Sequence, residues 1–389
     1  MNYEFSADEL ALATEVREFI ARHATDALRA EAQGNEYIYG GPEGRRFFKD
    51  FAARGWLTPC WPTEYGGLGA PEVHTYIVLS ELSYAGLPFR FVGAHMAGPT
   101  ILRFGSEELK QRLLMPMARG EIELALGYSE PGAGSDLMGL RMKAEDRGDH
   151  FVVNGQKTFS THAKVADYHW LAVRTDPDAP GHKGISILVV DLESPGITVR
   201  PMVTMAGGST NEVYYDNVVI PRANLIGEKN AGFKYLMAAL DFERMFPFGH
   251  YQRIHERLVA YVKQRTIRGR PLREDPLVRQ KMAQIEIEID ILNLLFYQLA
   301  HILQSGQIPS YQTSMEKNFY ADLTQRMTRS ALEITGLYGQ TCEGDGLAAL
   351  GGLVDLGYRW SVVESIYGGT TEIQRNIIAQ RGLGLPRDR

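Results

Sequence analysis

Apolar positions along the chain follow three successive rhythms. From Phe5 onward they recur at helical spacing, with Leu12, Val16, Phe19 and Ile20 on one face. Ser6 followed three residues later by Glu9 predicts a capping box at the start of that helix, and Phe5 with Leu10 predicts a hydrophobic staple. Helical spacing continues through 47–53, 75–85 and 106–117, broken by glycine-rich stretches such as Tyr65-Gly-Gly-Leu-Gly-Ala70. Residues 1–122 therefore read as an α-helical block. Near residue 123 the rhythm changes to short β-branched and aromatic runs at 150–153, 170–173, 185–190, 197–203 and 213–220. Asn154-Gly155, set between Phe151-Val-Val and Gln156-Lys-Thr-Phe, predicts a two-residue hairpin. No helix of useful length separates these runs, which argues against a parallel βαβ sheet and predicts an antiparallel sheet or barrel over 123–232. From about residue 232 the spacing is helical again. Asp275-Pro276 supplies a cap and a first turn for a long helix to about residue 304, and further helices are expected at 315–337, 354–365 and 371–381. Helices of this length in succession predict an up-and-down bundle over 233–389. The expected class is α+β: a helical domain, a middle antiparallel β domain and a C-terminal helical bundle.

Composition narrows the function. The 389 residues carry 41 Lys and Arg against 47 Asp and Glu, a net charge of −6, with 44% hydrophobic and 23% charged residues. That is the mix of a globular chain, and it lacks the clustered cations that nucleic acid or an anionic membrane surface requires. Cys60 and Cys342 are the only cysteines, so a disulfide framework and a cysteine-based zinc site are excluded. No apolar run approaches the roughly 18 residues that a spanning helix needs. Met-Asn-Tyr-Glu-Phe at the start has neither a basic beginning nor an apolar core, so a cytoplasmic location is expected, with a mitochondrial matrix location the weaker reading. No His pair at i,i+4 sits beside a carboxylate, and no metal site is expected. Ser314-Met-Glu-Lys317 matches a nucleophile pattern but lacks its companion motifs.

Three motifs keep chemistry in view. Gly132-Ala-Gly134-Ser-Asp136 resembles the start of a dinucleotide fingerprint, yet no third glycine and helix follow. It reads as a tight turn, with loop amides that can still approach a pyrophosphate. Gly368-Gly-Thr-Thr371 precedes a helix and offers either an anion or carbonyl site or an ordinary capped helix start. Asp241-Phe-Glu243-Arg244 would ordinarily be a solvated face. Here it is flanked by Met237-Ala-Ala-Leu240 and Met245-Phe-Pro-Phe248, and enclosure would raise a carboxyl pKa toward the range useful for proton abstraction.

Read in order, Leu126-Gly-Tyr-Ser-Glu-Pro-Gly-Ala-Gly-Ser-Asp136, Asn154-Gly-Gln-Lys157, Phe159-Ser-Thr161, Gly232-Phe-Lys234, Tyr367-Gly-Gly-Thr370 and Glu372-Ile-Gln-Arg375 resemble the acyl-CoA dehydrogenase family over nearly the whole chain. The resemblance implies an α-helical domain, a central β domain and a C-terminal four-helix bundle, with FAD as cofactor. It implies flavin contacts from Leu126, Tyr128 and Ser129, with Ser135 near the pyrophosphate or the CoA. Phe159 and Thr161 match positions lining the flavin ring, and Thr370 and Glu372 match contacts near the last helix. Arg265 matches an arginine that reaches the FAD of a neighbouring subunit. The family's reaction removes an α-proton from an acyl thioester while a hydride leaves the β-carbon. A backbone amide, matched by Gly368, polarises the thioester carbonyl. Many members carry the catalytic Glu where this chain has Gly368. Others place it on an adjacent helix just before an arginine, which Glu243-Arg244 matches. Glu243 is therefore the expected base, with Asp241 and Arg244 shaping the substrate pocket and Glu364 and Glu372 in reserve. Glu333 and Leu337 in the adenine-side loop, Pro276, and Arg268 depart from the family's usual residues, which implies an altered FAD site or one completed by a different chain. The closing segment from Tyr367 to Ile378 resembles bacterial members acting on branched, ring-bearing or steroid side-chain acyl-CoAs. The implied product is a 2,3-enoyl-CoA, the implied electron acceptor an electron-transfer flavoprotein, and the implied assembly a homotetramer or an α2β2 heterotetramer. Two alternatives stand beside it: an FAD- and acyl-CoA-binding partner subunit of a heterotetramer, and a different flavin oxidation on the same fold.

Overall fold

The computed structural model describes residues 4–32, 41–206, 209–243, 249–267 and 269–386, without the side chains of residues 209 and 241–243. The N-terminal block comprises α1 (Ala7–His23), α2 (Asp26–Ala32), α3 (Pro42–Ala52), α4 (Glu72–Tyr84), α5 (Gly98–Phe104) and α6 (Glu107–Ala118). The capping box of α1 forms as expected, the Ser6 and Glu9 side chains each accepting from the other's backbone N–H. The staple does not. Leu10 is 54% exposed, and Phe5 turns its ring edge-on to Tyr297, 5.5 Å away in the C-terminal block. Burial against a partner from another block outweighs the local pair.

The middle block holds β1 (Leu124–Gly127), β2 (Lys143–Asp146), β3 (His150–Lys157), β4 (Tyr168–Arg174), β5 (Ile185–Asp191), β6 (Ile197–Val203) and β7 (Ser209–Pro221). They make one sheet, in which β3 pairs with both β2 and β7, β4 with β5, and β6 with β7, all antiparallel. Two features differ from expectation. β1 runs parallel to β4, in the register Leu126↔Trp170, so the sheet is mixed. The predicted hairpin at Asn154-Gly155 is absent: β3 passes straight through it, and the register against β7 shifts between Val153 and Gly155, a bulge. Gly155 takes φ 142°, and a Cβ there would sit 2.8 Å from Met142 Cγ, so glycine serves a close approach inside a strand. The Asn154 side chain exchanges hydrogen bonds with Asn217 across the bulge. β1 is apolar but only four residues long, Leu-Ala-Leu-Gly, and β2 carries no apolar run that the sequence could announce. Lys-Ala-Glu-Asp of β2 buries Ala144 and leaves its charged neighbours out.

β4 and β5 are buried on both faces, which explains their unbroken apolar runs. Trp170, Ala172, Ile187 and Val189 face Leu109, Leu113, Leu236 and Leu240 of flanking helices. Leu171, Val173, Leu188 and Val190 face Phe151, Val213 and Val218 within the sheet's own core. The C-terminal block follows with α7 (Gly232–Glu243), α8 (Gly249–Gln264), the short strands β8 (Thr266–Ile267) and β9 (Arg270–Pro271), α9 (Pro276–Gln304), α10 (Tyr311–Thr335), α11 (Leu353–Glu364) and α12 (Thr371–Ile377). Asp275 caps α9, its carboxylate accepting from Leu277 N at 2.8 Å.

Glu123 lies at the seam between the first two blocks. Its carboxylate, 8% exposed, accepts from Gly93 N at 2.5 Å and from Leu124 N at 2.8 Å. Burial pushes its pKa up to about 7 against the pull of these two amides, and Asp167 adds to the rise. A carboxyl that holds its proton longer when folded takes up a proton on folding between its ordinary pKa of 4.5 and about 7. Its contribution to stability is full below that window and is lost as pH rises through 7. Melting temperature should therefore fall less for Glu123→Gln than for the unaltered chain between about pH 5 and about pH 8. Equal falls would show that this carboxyl does not titrate across the window.

Candidate functional site

The sequence-predicted ligand residues of the middle block are brought together by one buried ion pair. Lys157, at the end of β3, is 0% exposed. Its Nζ donates to Tyr128 O at 3.0 Å and to Glu130 Oε1 at 2.8 Å. Glu130 also accepts from Arg141 N at 2.7 Å and Met142 N at 3.0 Å, so it closes the turn that follows β1. Burial lowers the Lys157 pKa to about 8, and Glu130 opposes the fall. The turn is reinforced by paired backbone bonds between Glu130 and Ala133. No helix opens there and only a short 3-10 turn, Leu137–Gly139, follows, so Gly132-Ala-Gly134 is the tight turn expected. Ser135 and Asp136 stand exposed on it.

Thr158 N donates to Ser129 O at 2.9 Å, joining this turn to the segment carrying Phe159 and Thr161. Phe159 adopts φ 56° and His162 φ 77°, both in the left-handed region that side chains avoid. Such backbone costs on the order of 1–3 kcal/mol per residue and persists where the surroundings enforce it. Phe159 is 68% exposed although Thr158 and Ser160 beside it are buried. Thr161 is exposed as well, its hydroxyl 3.2 Å from that of Thr210. Leu126 and Ser129 are half-buried and Tyr128 is buried. A strained, outward aromatic ring beside an exposed hydroxyl and a loop of exposed amides is a fit surface for a flat, partly polar ring system carrying a pyrophosphate.

The third segment comes from the C-terminal block. Gly368 and Gly369 take φ 63° and 90° just before α12. The buried side chain of Gln374 donates to Gly368 O at 2.7 Å and to Gly369 O at 3.2 Å. The Tyr367 hydroxyl donates to Glu364 Oε2 at 2.5 Å and accepts from Arg90 Nη2 at 2.8 Å. Glu364, 1% exposed, also accepts from Trp360 Nε1 at 2.8 Å. It is thus a buried anchor for Tyr367. Arg90 links all three blocks: it comes from the N-terminal block, bonds Tyr367, and its charge combines with burial to lower the pKa of His162 to about 4. Thr370 caps α12, accepting from Ile373 N at 3.3 Å. Glu372 is exposed and its carboxyl is held below its ordinary range by its own backbone N–H and by the Thr370 and Thr371 hydroxyls.

Other predicted residues stand apart. Arg265, exposed after α8, stacks over Tyr261 at 5.0 Å. Glu333 pairs with Lys281, Leu337 is 79% exposed, and Pro276 opens α9. The side chains of Asp241 and Glu243, and Arg244 and Arg268 entirely, lie outside the described residues. Among the described residues no group of three or more His, Cys, Asp or Glu is placed to hold a metal. Lys157, Glu130, Arg90 and Gln374 hold the candidate segments in place, and the sequence pattern gave them no role. The available sign for the first was its phase, since Lys157 falls on the face of β3 that carries the buried Phe151 and Val153.

Removing Glu130 would strand a buried ammonium. Glu130→Ala should cost about 3–5 kcal/mol of unfolding free energy in a denaturant titration. A loss under about 1 kcal/mol would mean that the turn closes without the pair.

Three family models match the chain in succession: acyl-CoA dehydrogenase N-terminal domain over residues 6–121, middle domain over 125–218 and C-terminal domain over 230–383. Acyl-CoA dehydrogenase FadE26 of Mycobacterium tuberculosis is 33% identical, covering 100% of this chain and 99% of that protein. The solved Tcur3481-Tcur3483 steroid ACAD is 33% identical with a TM-score of 0.91, covering 100% of both chains. The ChsE4-ChsE5 complex from Mycobacterium tuberculosis is 34% identical with a TM-score of 0.91, again over 100% of both chains.

Proposed function

The chain belongs to the acyl-CoA dehydrogenase family, oxidoreductases acting on CH–CH donors, and from that premise we propose that it dehydrogenates a bulky acyl-CoA to the 2,3-enoyl-CoA with FAD. The observation that carries the flavin reading is Phe159, strained and outward-facing between two buried neighbours. Leu126, Tyr128, Ser129, Phe159 and Thr161 would hold the flavin, and Ser135 the pyrophosphate or CoA. Thr370 and Glu372 would add contacts from α12, and Arg265 would serve the site of an adjoining subunit. FAD, when bound, supplies the acceptor for the hydride leaving the β-carbon.

The chain's own work is on the proton and the carbonyl. Glu243 takes the α-proton as a carboxylate, with Asp241 and Arg244 bounding the pocket. The α-proton is weakly acidic, so negative charge growing on the thioester oxygen needs a donor, and the Gly368 amide provides it. Gln374 on one side and the Tyr367 anchor on the other support that placement. The steroid ACAD likeness supports a branched, ring-bearing or steroid side-chain substrate. The domains would divide at 1–122, 123–232 and 233–389.

Exposed Leu277, Leu337 and Leu383, at 66%, 79% and 70%, leave apolar surface on the C-terminal block suited to burial against further chains. A homotetramer or an α2β2 assembly would cover it, and the two-chain likenesses favour the latter. Exposed Leu337 in the adenine-side loop supports a second reading, in which the chain binds FAD and acyl-CoA as one half of such an assembly. Reduced flavin would be reoxidised by an electron-transfer flavoprotein in a bacterial cytoplasm. Among the described residues no helix is long and apolar enough to cross a membrane.

Glu243→Gln should slow flavin reduction by roughly 10²–10⁴-fold, the usual worth of a positioned general base. A rate near that of the unaltered chain removes Glu243 from the role. In a panel of acyl-CoAs, a ring-bearing or branched thioester should exceed butyryl- and octanoyl-CoA in kcat/KM. Equal turnover of the straight chains would reject the bulky-substrate reading.

A further inference from the structure

Ser160, His169 and Tyr215 form an enclosed hydrogen-bonded line beneath the strained turn. Ser160 and His169 are 0% exposed and Tyr215 is 4% exposed. His169 Nδ1 lies 2.6 Å from the Tyr215 hydroxyl, and Nε2 lies 3.2 Å from Ser160 Oγ. Hydroxyl, imidazole and orienting group in that order make a hydrolytic triad where a substrate can reach the hydroxyl. Here Ser160 is sealed, so nucleophilic chemistry is excluded and the line acts on geometry.

Its position shows which geometry. Ser160 sits between Phe159 and Thr161, with left-handed backbone at Phe159 and again at His162. The Ser160 backbone is tied to Asn211 by two bonds: its N–H donates to Asn211 O at 2.9 Å, and its carbonyl accepts from Asn211 Nδ2 at 2.8 Å. On its other side the His169 ring lies against β1. A Cβ on Gly127 would come within 2.6 Å of ring atoms, so the strand approaches the imidazole as closely as glycine permits. Leu126 and Tyr128 flank that glycine. One imidazole thus touches both segments that carry the middle-block residues expected to contact the flavin.

We propose that His169 is a positioning residue for flavin binding, holding the 159–161 turn through Ser160 Oγ and β1 through Gly127, with Tyr215 fixing its tautomer. In the tautomer so assigned, the Tyr215 hydroxyl donates to Nδ1 and Nε2–H donates to Ser160 Oγ, with the Leu126 backbone of β1 a further hydrogen-bond partner of the ring. The proposal rests on the flavin reading above. A loss anywhere along the line loosens the Phe159 and Thr161 face without removing any group that touches the ligand.

The test titrates the deflavinated full-length chain with FAD and follows the binding constant, the midpoint potential of the bound flavin, and the melting temperature without FAD. Tyr215→Phe and Ser160→Ala should each weaken FAD binding about five-fold, the worth of one neutral hydrogen bond, and shift the midpoint potential. The two changes together should fall short of the product of the singles, because they interrupt one line. His169→Leu should exceed either single change, and His169→Gln should recover part of the loss. Variants that melt earlier yet bind FAD with unaltered affinity and potential overturn the proposal, leaving His169 a core residue. An unaltered chain that takes up no FAD overturns the flavin reading and this proposal together.

Discussion

The Lys157 ammonium is withdrawn from solvent at the end of β3, and the protein must satisfy it from within. Desolvating such a cation costs several kcal/mol, offset only by good geometry to an opposite charge and to further acceptors. The chain meets that demand with Glu130 and the Tyr128 carbonyl, both on the turn after β1. Thr158, next in sequence to Lys157, then binds Ser129 of the same turn. Two loops that would otherwise relax independently are committed to one arrangement, and the middle-block residues expected to contact a flavin lie on or beside those loops. The remaining oxygen of Glu130 reaches Arg141 N, so the first residues toward β2 are drawn into the same constraint.

The order of blocks was legible because each rests on a local period. Asp275-Pro276 opens α9 and Ser6 with Glu9 opens α1, since caps are settled within one turn of chain. The hairpin at Asn154-Gly155 misled because the same dipeptide suits a turn with left-handed backbone and a bulge where two strands crowd. Met142 and Asn217, distant in sequence, decide between them. The parallel β1–β4 pairing is illegible for a related reason: its register depends on two short segments separated by the whole of β2 and β3. At the site, residues that project outward from motifs could be named in advance. Those that hold the motifs, Arg90 and Gln374 among them, could not, because a buried polar residue carries no signal until its partner's position is known.

Arg90 shows how the site depends on all three blocks. Its guanidinium reaches the Tyr367 hydroxyl in the C-terminal block, and its charge is felt by His162 on the sheet's strained turn. A buried imidazole beside a guanidinium is held neutral, so it cannot add a second positive charge to the face below Phe159. The arrangement exists only when the blocks are docked, and the shared core of β4 and β5 with α6 and α7 does the docking. Fold and site are therefore linked through packing: a change that loosens that core would separate Arg90 from one of its partners before it touched any ligand-facing residue.

The segment from Tyr367 to Gly369 is fixed at both ends, by the Glu364 and Arg90 bonds to the Tyr367 ring and by the Gln374 amide on the two glycine carbonyls. Its glycines hold left-handed backbone, where a Cβ costs on the order of 1 kcal/mol per residue. At Gly369 a Cβ would also meet Gln374 Nε2 at 2.6 Å. A segment so held presents its backbone at low cost and accommodates side chains poorly. That asymmetry gives physical sense to the proposed division of labour, in which this loop would polarise the carbonyl and an acid from another helix would take the proton.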